Sequence, residues 1–197
     1  MQIRQVVVLA DESSEVNDLL PRLEEMGLSV RRSSASDILG EIASVEGGWW
    51  GGPDRLVLCD ESFDLLPFAS TIIGAAVKNG CGVLLGSAEL GRVLEDLGAS
   101  GGLSEATRRE LAAEALYRCI SREAESLRSL QGEGPRYLVQ TYEKFQDLRY
   151  GENWHQKASL YSKPSGLGLH RAPKLCGKEM SYNNVVDAEA TLEMLID

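Results

Sequence analysis

Along the first two-thirds of the chain, short apolar runs alternate with stretches in which apolar residues recur every three or four positions. Gln5–Ala10 is a run of the first kind; Val16, Leu19, Leu20, Leu23 and Met26 then share one side of a helix that Gly27 ends. The alternation predicts further strands at Leu28–Arg32, Arg55–Cys59 and Gly82–Gly86, and helices over Ala35–Val45, Phe68–Lys78 and Glu89–Leu97. A small strand around Gly101–Ser104 and a long helix from Thr107 to Leu130 complete the series. Repeated strand–helix units imply a parallel sheet covered by helices.

The expected fold is therefore α/β, a flavodoxin-like five-stranded parallel sheet of order 2-1-3-4-5 with a long last helix. Within Glu46–Pro53 the run Gly-Gly-Trp-Trp-Gly-Gly breaks the pattern and reads as a loop. Trp49 and Trp50 there either fold back over the end of the sheet, as large aromatics usually do, or form a partner-binding tip. In the long helix Leu111, Ala115, Leu116, Cys119, Ile120, Leu127 and Leu130 mark one apolar side, longer than a sheet of this size needs, and its far end could pair with a second copy. Gln131–Pro135 is a break, so the division expected is a domain over 1–130 and an irregular C-terminal arm over 131–197. Only Tyr137–Leu148 and Val185–Ile196 have helical spacing in that arm, and the stretch between them is expected to be extended.

Charge narrows the functions available. The 197-residue chain carries a net charge of −10, and Lys and Arg number 12 against 21 Asp and Glu in residues 1–130. An acidic domain is a poor ligand for phosphate backbones, so a protein partner or a small ligand is expected and nucleic acid is not. The arm mixes Lys144, Arg149, Lys157, Lys163, Arg171, Lys174 and Lys178 with Tyr142, Phe145, Tyr150, Trp154 and Tyr161. Its near-neutral balance favours aromatics that anchor the arm to protein, Trp154 among them, over single-stranded nucleic acid. Cys59, Cys81, Cys119 and Cys176 lack paired spacing, which suits reduced thiols in the cytoplasm. A leader and a membrane span are not expected from the opening residues or from any apolar run.

Ligands of such sheets bind beyond the carboxyl ends of the strands, where Asp11, Glu12, Asp60, Ser87 and Glu105 are expected. Converging carboxylates repel unless a cation lies between them, and oxygen ligands suit Mg²⁺, so Asp11, Glu12 and Asp60 are candidate ligands of an optional magnesium ion. They could equally cap helices and end strands. An Asp beside such an ion can attack a phosphoryl group, which makes Asp60 the nucleophile candidate. Nucleotide-binding glycine loops are absent, and His155, His170 and Cys176 match no familiar zinc spacing.

Val6–Glu12, Leu56–Asp60, Leu84–Ala88 and Gly98–Gly101 occur in the order of a receiver (response-regulator) domain, which residues 1–130 resemble. The resemblance implies Asp60 as phosphoacceptor, Ser87 as its phosphate contact, and Glu12 and Asp60 on Mg²⁺ with Asp11 assisting. The acidic pair aligns either as Asp11-Glu12 or as Ala10-Asp11, and Glu105-Ala106 stands where the family has Lys-Pro. A carboxylate where a cation should meet phosphate points to a pseudo-receiver. The expected function is thus a non-enzymatic signalling or scaffold protein that binds a protein partner and self-associates through the last helix and arm, with no cofactor required. Two alternatives are a Mg²⁺-dependent response regulator phosphorylated on Asp60, and a small hydrolase using Ser87, because Val83–Gly101 also resembles the nucleophile turn of the amidotransferase-like superfamily.

Overall fold

The structure, a computed structural model, describes residues 2–10, 15–43, 52–61, 63, 67–163 and 168–196. The chain divides into two compact units, Met1–Leu138 and Val139–Asp197.

In the first unit the strands are β1 (Gln5–Leu9), β2 (Ser29–Arg32), β3 (Arg55–Cys59) and β4 (Gly82–Leu85). The helices are α1 (Leu20–Glu25), α2 (Ala35–Ala43), α3 (Ala69–Lys78), α4 (Leu90–Ser100) and α5 (Glu105–Gln131). Among the described residues the sheet has four strands in the order β2-β1-β3-β4, with all three pairings parallel. β1 and β3 are central and almost wholly apolar because both of their faces are covered. Side-chain alternation sends Val7, Leu9, Val57, Cys59, Val83 and Leu85 into one core, with Ile38, Ile72, Ile73, Ala76, Ala115 and Cys119. Val6, Val8, Leu56, Leu58 and Leu84 enter the opposite core with Val16, Leu20, Leu23, Val93 and Leu97. The architecture is three layers, helix on sheet on helix.

The expected fifth strand is not formed. α4 runs on to Ser100, and Gly101 ends it at φ 67°, a left-handed cap that suits glycine. Gly102 makes only an isolated antiparallel bridge with Gln2, and Ser104 already caps α5. Two residues between the caps Gly101 and Ser104 leave no length for a strand. As a result α5 begins at the amino end of the sheet, where Arg108 donates to the carbonyls of Gly80 (2.7 Å) and Pro53 (2.8 Å). It then runs back along the sheet to the carboxyl end, where Arg118 donates to Glu61 O (3.0 Å) and Leu85 O (3.4 Å).

The start of α5 carries a polar clasp. Ser104 Oγ accepts from the Thr107 amide at 3.1 Å, and the Ser104 amide donates to Asp96 Oδ2 at 2.9 Å. Ser104→Ala should lower stability by about 1 kcal/mol in urea denaturation, as loss of an N-cap does. Hydrogen bonds from the Thr107 hydroxyl and then the Ser104 amide hold the Asp96 carboxyl below its ordinary value of 3.8. A depressed folded-state value means that this stabilisation is present above that pH and is lost as pH falls through the folded value. Asp96→Asn should accordingly flatten the acid limb of a thermal-unfolding profile below about pH 4.

The second unit holds the strands β5 (Glu143–Leu148) and β6 (Ala158–Ser162), paired antiparallel, and the helix α6 (Tyr182–Ile196). The helix expected over Tyr137–Leu148 is thus replaced by a strand in its second half. A register shift between Lys144 and Gln146 breaks the two-residue alternation that would have revealed it. The final helix forms as expected from Val185 but starts earlier, because Ser181 and Asn184 cap it: Asn184 Oδ1 accepts from the Ser181 amide and hydroxyl.

Candidate functional site

The carboxyl edge of the parallel sheet was the expected site. Asp60 follows β3 there, half-buried, its amide donating to Leu9 O (3.3 Å) and its carbonyl accepting from Phe63 (3.2 Å). Ser87 follows β4, also half-buried, and its carbonyl receives the Leu90 amide at the start of α4. Between them Gly86 adopts φ 76° and donates to Cys59 O at 2.9 Å. A Cβ on Gly86 would lie 2.7 Å from Cγ of Glu61, so the Glu61 side chain crosses the gap between the two strand ends. Glu61 and Arg118 therefore stand at the ends of β3 and β4. Asp11, Glu12, Trp49 and Trp50 lie outside the described residues.

Glu105 is not at this edge. It opens α5 at the amino end of the sheet and pairs with Arg109 at 2.5 Å, both side chains exposed. The expectation that it would meet the carboxylates fails because no fifth strand carries the chain across. Among the described residues no group of three or more His, Cys, Asp and Glu is placed to hold a metal ion.

The second unit contains a more elaborate constellation that local sequence patterns did not reveal. The loop 149–157 joining β5 to β6 is tied at both ends. Gly151 N donates to Gln156 O (2.8 Å), Gln156 N to Asn153 O (3.0 Å), and Gln156 Oε1 accepts from Asn153 N (2.9 Å). Gly151 is buried, and a Cβ there would stand 2.9 Å from Cβ of Gln156, so the loop closes only around glycine. Two backbone bonds fasten it to the start of α6, Arg149 N to Met180 O (3.0 Å) and Tyr182 N to Tyr150 O (3.1 Å). Ser181, 2% exposed, lies between these bonds.

This clamp leaves Arg149, Asn153, Trp154, His155 and Gln156 exposed on one short, well-braced loop. Trp154, the third aromatic expected to make an interaction, is 84% exposed and meets His155 edge to face at 5.6 Å. The Arg149 guanidinium lies 4.7 Å from the Tyr150 ring centre and donates to Tyr150 Oη at 2.9 Å. Hydrogen bonds from Ser181 and then Arg149 hold the Tyr150 phenol below its usual range. A guanidinium, two amides, an imidazole and an indole together can grip an anionic group and a flat heterocycle. Nearby, His170 stands edge-on to Phe145 at 5.8 Å, and its Nε2 is buried without a hydrogen-bond partner among the described residues. The residues that bring these groups together are about 30 positions apart, which is why periodicity alone did not find them.

Comparison with known proteins covers this region together with part of the first unit. The family model described as AICARFT/IMPCHase bienzyme matches residues 76–197. The bifunctional purine biosynthesis protein PurH of Halalkalibacterium halodurans is 40% identical over 133 residues, covering 64% of this chain and 26% of that protein. The PurH proteins of Lysinibacillus sphaericus and Bacillus cytotoxicus are 40% and 39% identical over 130 and 133 residues, with the same coverage. The chain thus spans about a quarter, 26%, of the length of these relatives.

These matches overturn the receiver resemblance and the readings built on it: the non-enzymatic pseudo-receiver scaffold in signal transduction, the Asp60 response regulator and the Ser87 hydrolase. The relatives are biosynthetic enzymes. Carboxylates after parallel strands are common to many α/β proteins, and the receiver motifs were each only a few residues long. The family match instead includes the whole arm over 131–197, which held no recognised motif.

Proposed function

The chain belongs to the AICARFT/IMPCHase bienzyme family, and from that premise we propose that it is an enzyme of purine biosynthesis, an AICAR transformylase/IMP cyclohydrolase that holds its nucleotide on the loop 149–157. The observation that carries this reading is the clamp itself: within the matched segment, backbone bonds to α6 fix a loop whose outward groups suit a nucleoside monophosphate. In this reading Arg149 takes the phosphate, because a guanidinium offers paired donors to phosphate oxygens. Trp154 lies against the base, and Asn153 and Gln156 supply hydrogen bonds to its carbonyl and ring nitrogens. Tyr150 keeps Arg149 in place, so the loop meets its ligand with little ordering left to do.

The same premise favours the cytoplasm as its location, since purine synthesis is a metabolic activity there. No described helix is long and apolar enough to cross a membrane. The strand order β2-β1-β3-β4 supports placing the first unit among flavodoxin-like folds.

Titration calorimetry of the chain with IMP tests the proposal. Saturable binding at one site, weakened by inorganic phosphate, is expected. Failure of IMP and AICAR alike to bind at millimolar concentration would overturn it.

A further inference from the structure

Thr107 and Ser181 are the polar residues buried among the described ones. Thr107 belongs to the cap of α5, its hydroxyl bonded to Ser104 Oγ at 2.8 Å. Ser181 stands at the matching place before α6, yet the helix start does not depend on its hydroxyl. The Ser181 amide already donates to the capping atom, Asn184 Oδ1, at 3.1 Å, and an alanine would keep that bond. Burying a hydroxyl costs free energy unless it is hydrogen-bonded, so the other partner of this one is informative.

That partner is Tyr150. The Ser181 hydroxyl lies within reach of Asn184 Oδ1 (3.0 Å) and of Tyr150 Oη. Tyr150 Oη also accepts from Arg149 Nη2 at 2.9 Å, so it is gripped from the loop by one donor and from the residue before α6 by another. Arg149 is exposed, and among the described residues its guanidinium is held by Tyr150, through that bond and by lying 4.7 Å from the ring centre. A long, flexible side chain held by one neighbour is only as well placed as that neighbour. The backbone bonds from Arg149 N to Met180 O and from Tyr182 N to Tyr150 O fix the main chain of the loop, but they leave the Tyr150 ring free to swing. The bond with Ser181 removes that freedom.

We infer that Ser181 is a positioning residue of the nucleotide site: its buried hydroxyl holds Tyr150 Oη, and Tyr150 in turn holds the Arg149 guanidinium ready for the phosphate. The inference rests on the assignment of the loop 149–157 to a nucleotide. Ser181 acts through two side chains and does not itself meet the ligand. Its contribution is to order Arg149 before the ligand arrives, which lowers the ordering that binding must complete.

Ser181→Ala, Tyr150→Phe and the double variant test this by two readings: calorimetric titration with IMP, and ¹⁵N relaxation of the Arg149 Nε–Hε group in the chain without ligand. Each single variant should weaken IMP binding roughly threefold, and the double variant should bind no worse than either alone, because both changes remove the same link. A hydroxyl that served only the fold would leave affinity unchanged or add its effect to that of Tyr150→Phe. Without ligand, the Arg149 Nε–Hε group should be rigid in the wild type and mobile in each variant. If Ser181→Ala does not fold, Ser181→Cys replaces it, since a thiol fills the same space and donates only weakly. Additive losses in the double variant, a Ser181 variant that binds IMP as the wild type does, or an Arg149 side chain equally mobile in wild type and variants would overturn the inference. A wild-type chain that binds no nucleotide overturns the nucleotide assignment instead, and the relaxation readings then still decide whether Ser181 positions Arg149.

Discussion

Ile72→Ala should lower the folding free energy of the first unit by about 4 kcal/mol, read as a fall in the urea midpoint at an unchanged slope. Ile72 is 0% exposed at the centre of α3 and belongs to the core formed with Val57, Val83, Ile73 and Cys119. The sheet and two helices meet in that core, since α3 and α5 both pack over the sheet from the same side. Truncation to alanine removes three carbons' worth of buried surface and leaves a cavity that two helices and a sheet cannot readily close. An equivalent truncation at Ile120 of α5, which is 53% exposed, should change stability by no more than about 0.5 kcal/mol. The contrast between these isoleucines separates loss of packing from loss of helix propensity, because both stand within helices.

Arg149→Ala should weaken IMP binding roughly 30- to 100-fold, equivalent to ~2–3 kcal/mol. The substitution removes the one guanidinium the loop 149–157 presents, and charge-assisted hydrogen bonds to phosphate are among the stronger contacts available in water. The backbone bond from Arg149 N to Met180 O does not depend on the side chain, so the clamp on α6 should persist. Arg149→Lys should recover only part of the affinity, since an ammonium is a point charge without a planar fork. Tyr150→Phe removes the hydroxyl that accepts from Arg149 while keeping the ring beneath the guanidinium. Its effect on affinity should be smaller, a few-fold, and it should also cost about 1 kcal/mol of stability, because the hydroxyl accepts from buried Ser181 as well.

How much of this was visible in the sequence depends on where the stabilising contacts lie along the chain. β1 and β3 were legible because central parallel strands are apolar on both faces, as Val6–Leu9 and Leu56–Cys59 are, and β4 because its residues Gly82–Leu85 are likewise buried. Their parallel direction followed from helices that return the chain to the same end of the sheet each time. The error at Gly101–Ser104 came from treating a fifth repeat as obligatory. In the structure α4 and α5 meet directly at the amino end, and that meeting moves Glu105 away from Asp60 and Ser87. β5 was hidden by its bulge, which gives Tyr142, Phe145 and Leu148 a spacing of three that imitates a helix.

The candidate site was the least legible part. Asp60 and Ser87 drew notice because they end apolar strands, yet what they share with receiver domains is a position rather than a chemistry. The loop 149–157 gave a weaker local signal: a glycine, two amides and an exposed indole look like an ordinary turn. Its order comes from Met180, Ser181 and Tyr182, about 30 residues farther along, whose backbone and side chains hold it. Buried Gly151, packed against Gln156, was the sequence-level clue, but only the folded chain shows that no side chain fits there.

On the proposed reading a purine nucleotide sits on this loop. Amide chemical-shift mapping of the isotopically labelled chain during titration with IMP tests it most directly. Saturable shifts are expected for Arg149–Gln156 and for Ser181–Tyr182 at the start of α6, with Asp60 and Ser87 unmoved. Shifts confined to the ends of β3 and β4, or no shifts in the loop at saturating nucleotide, would contradict it.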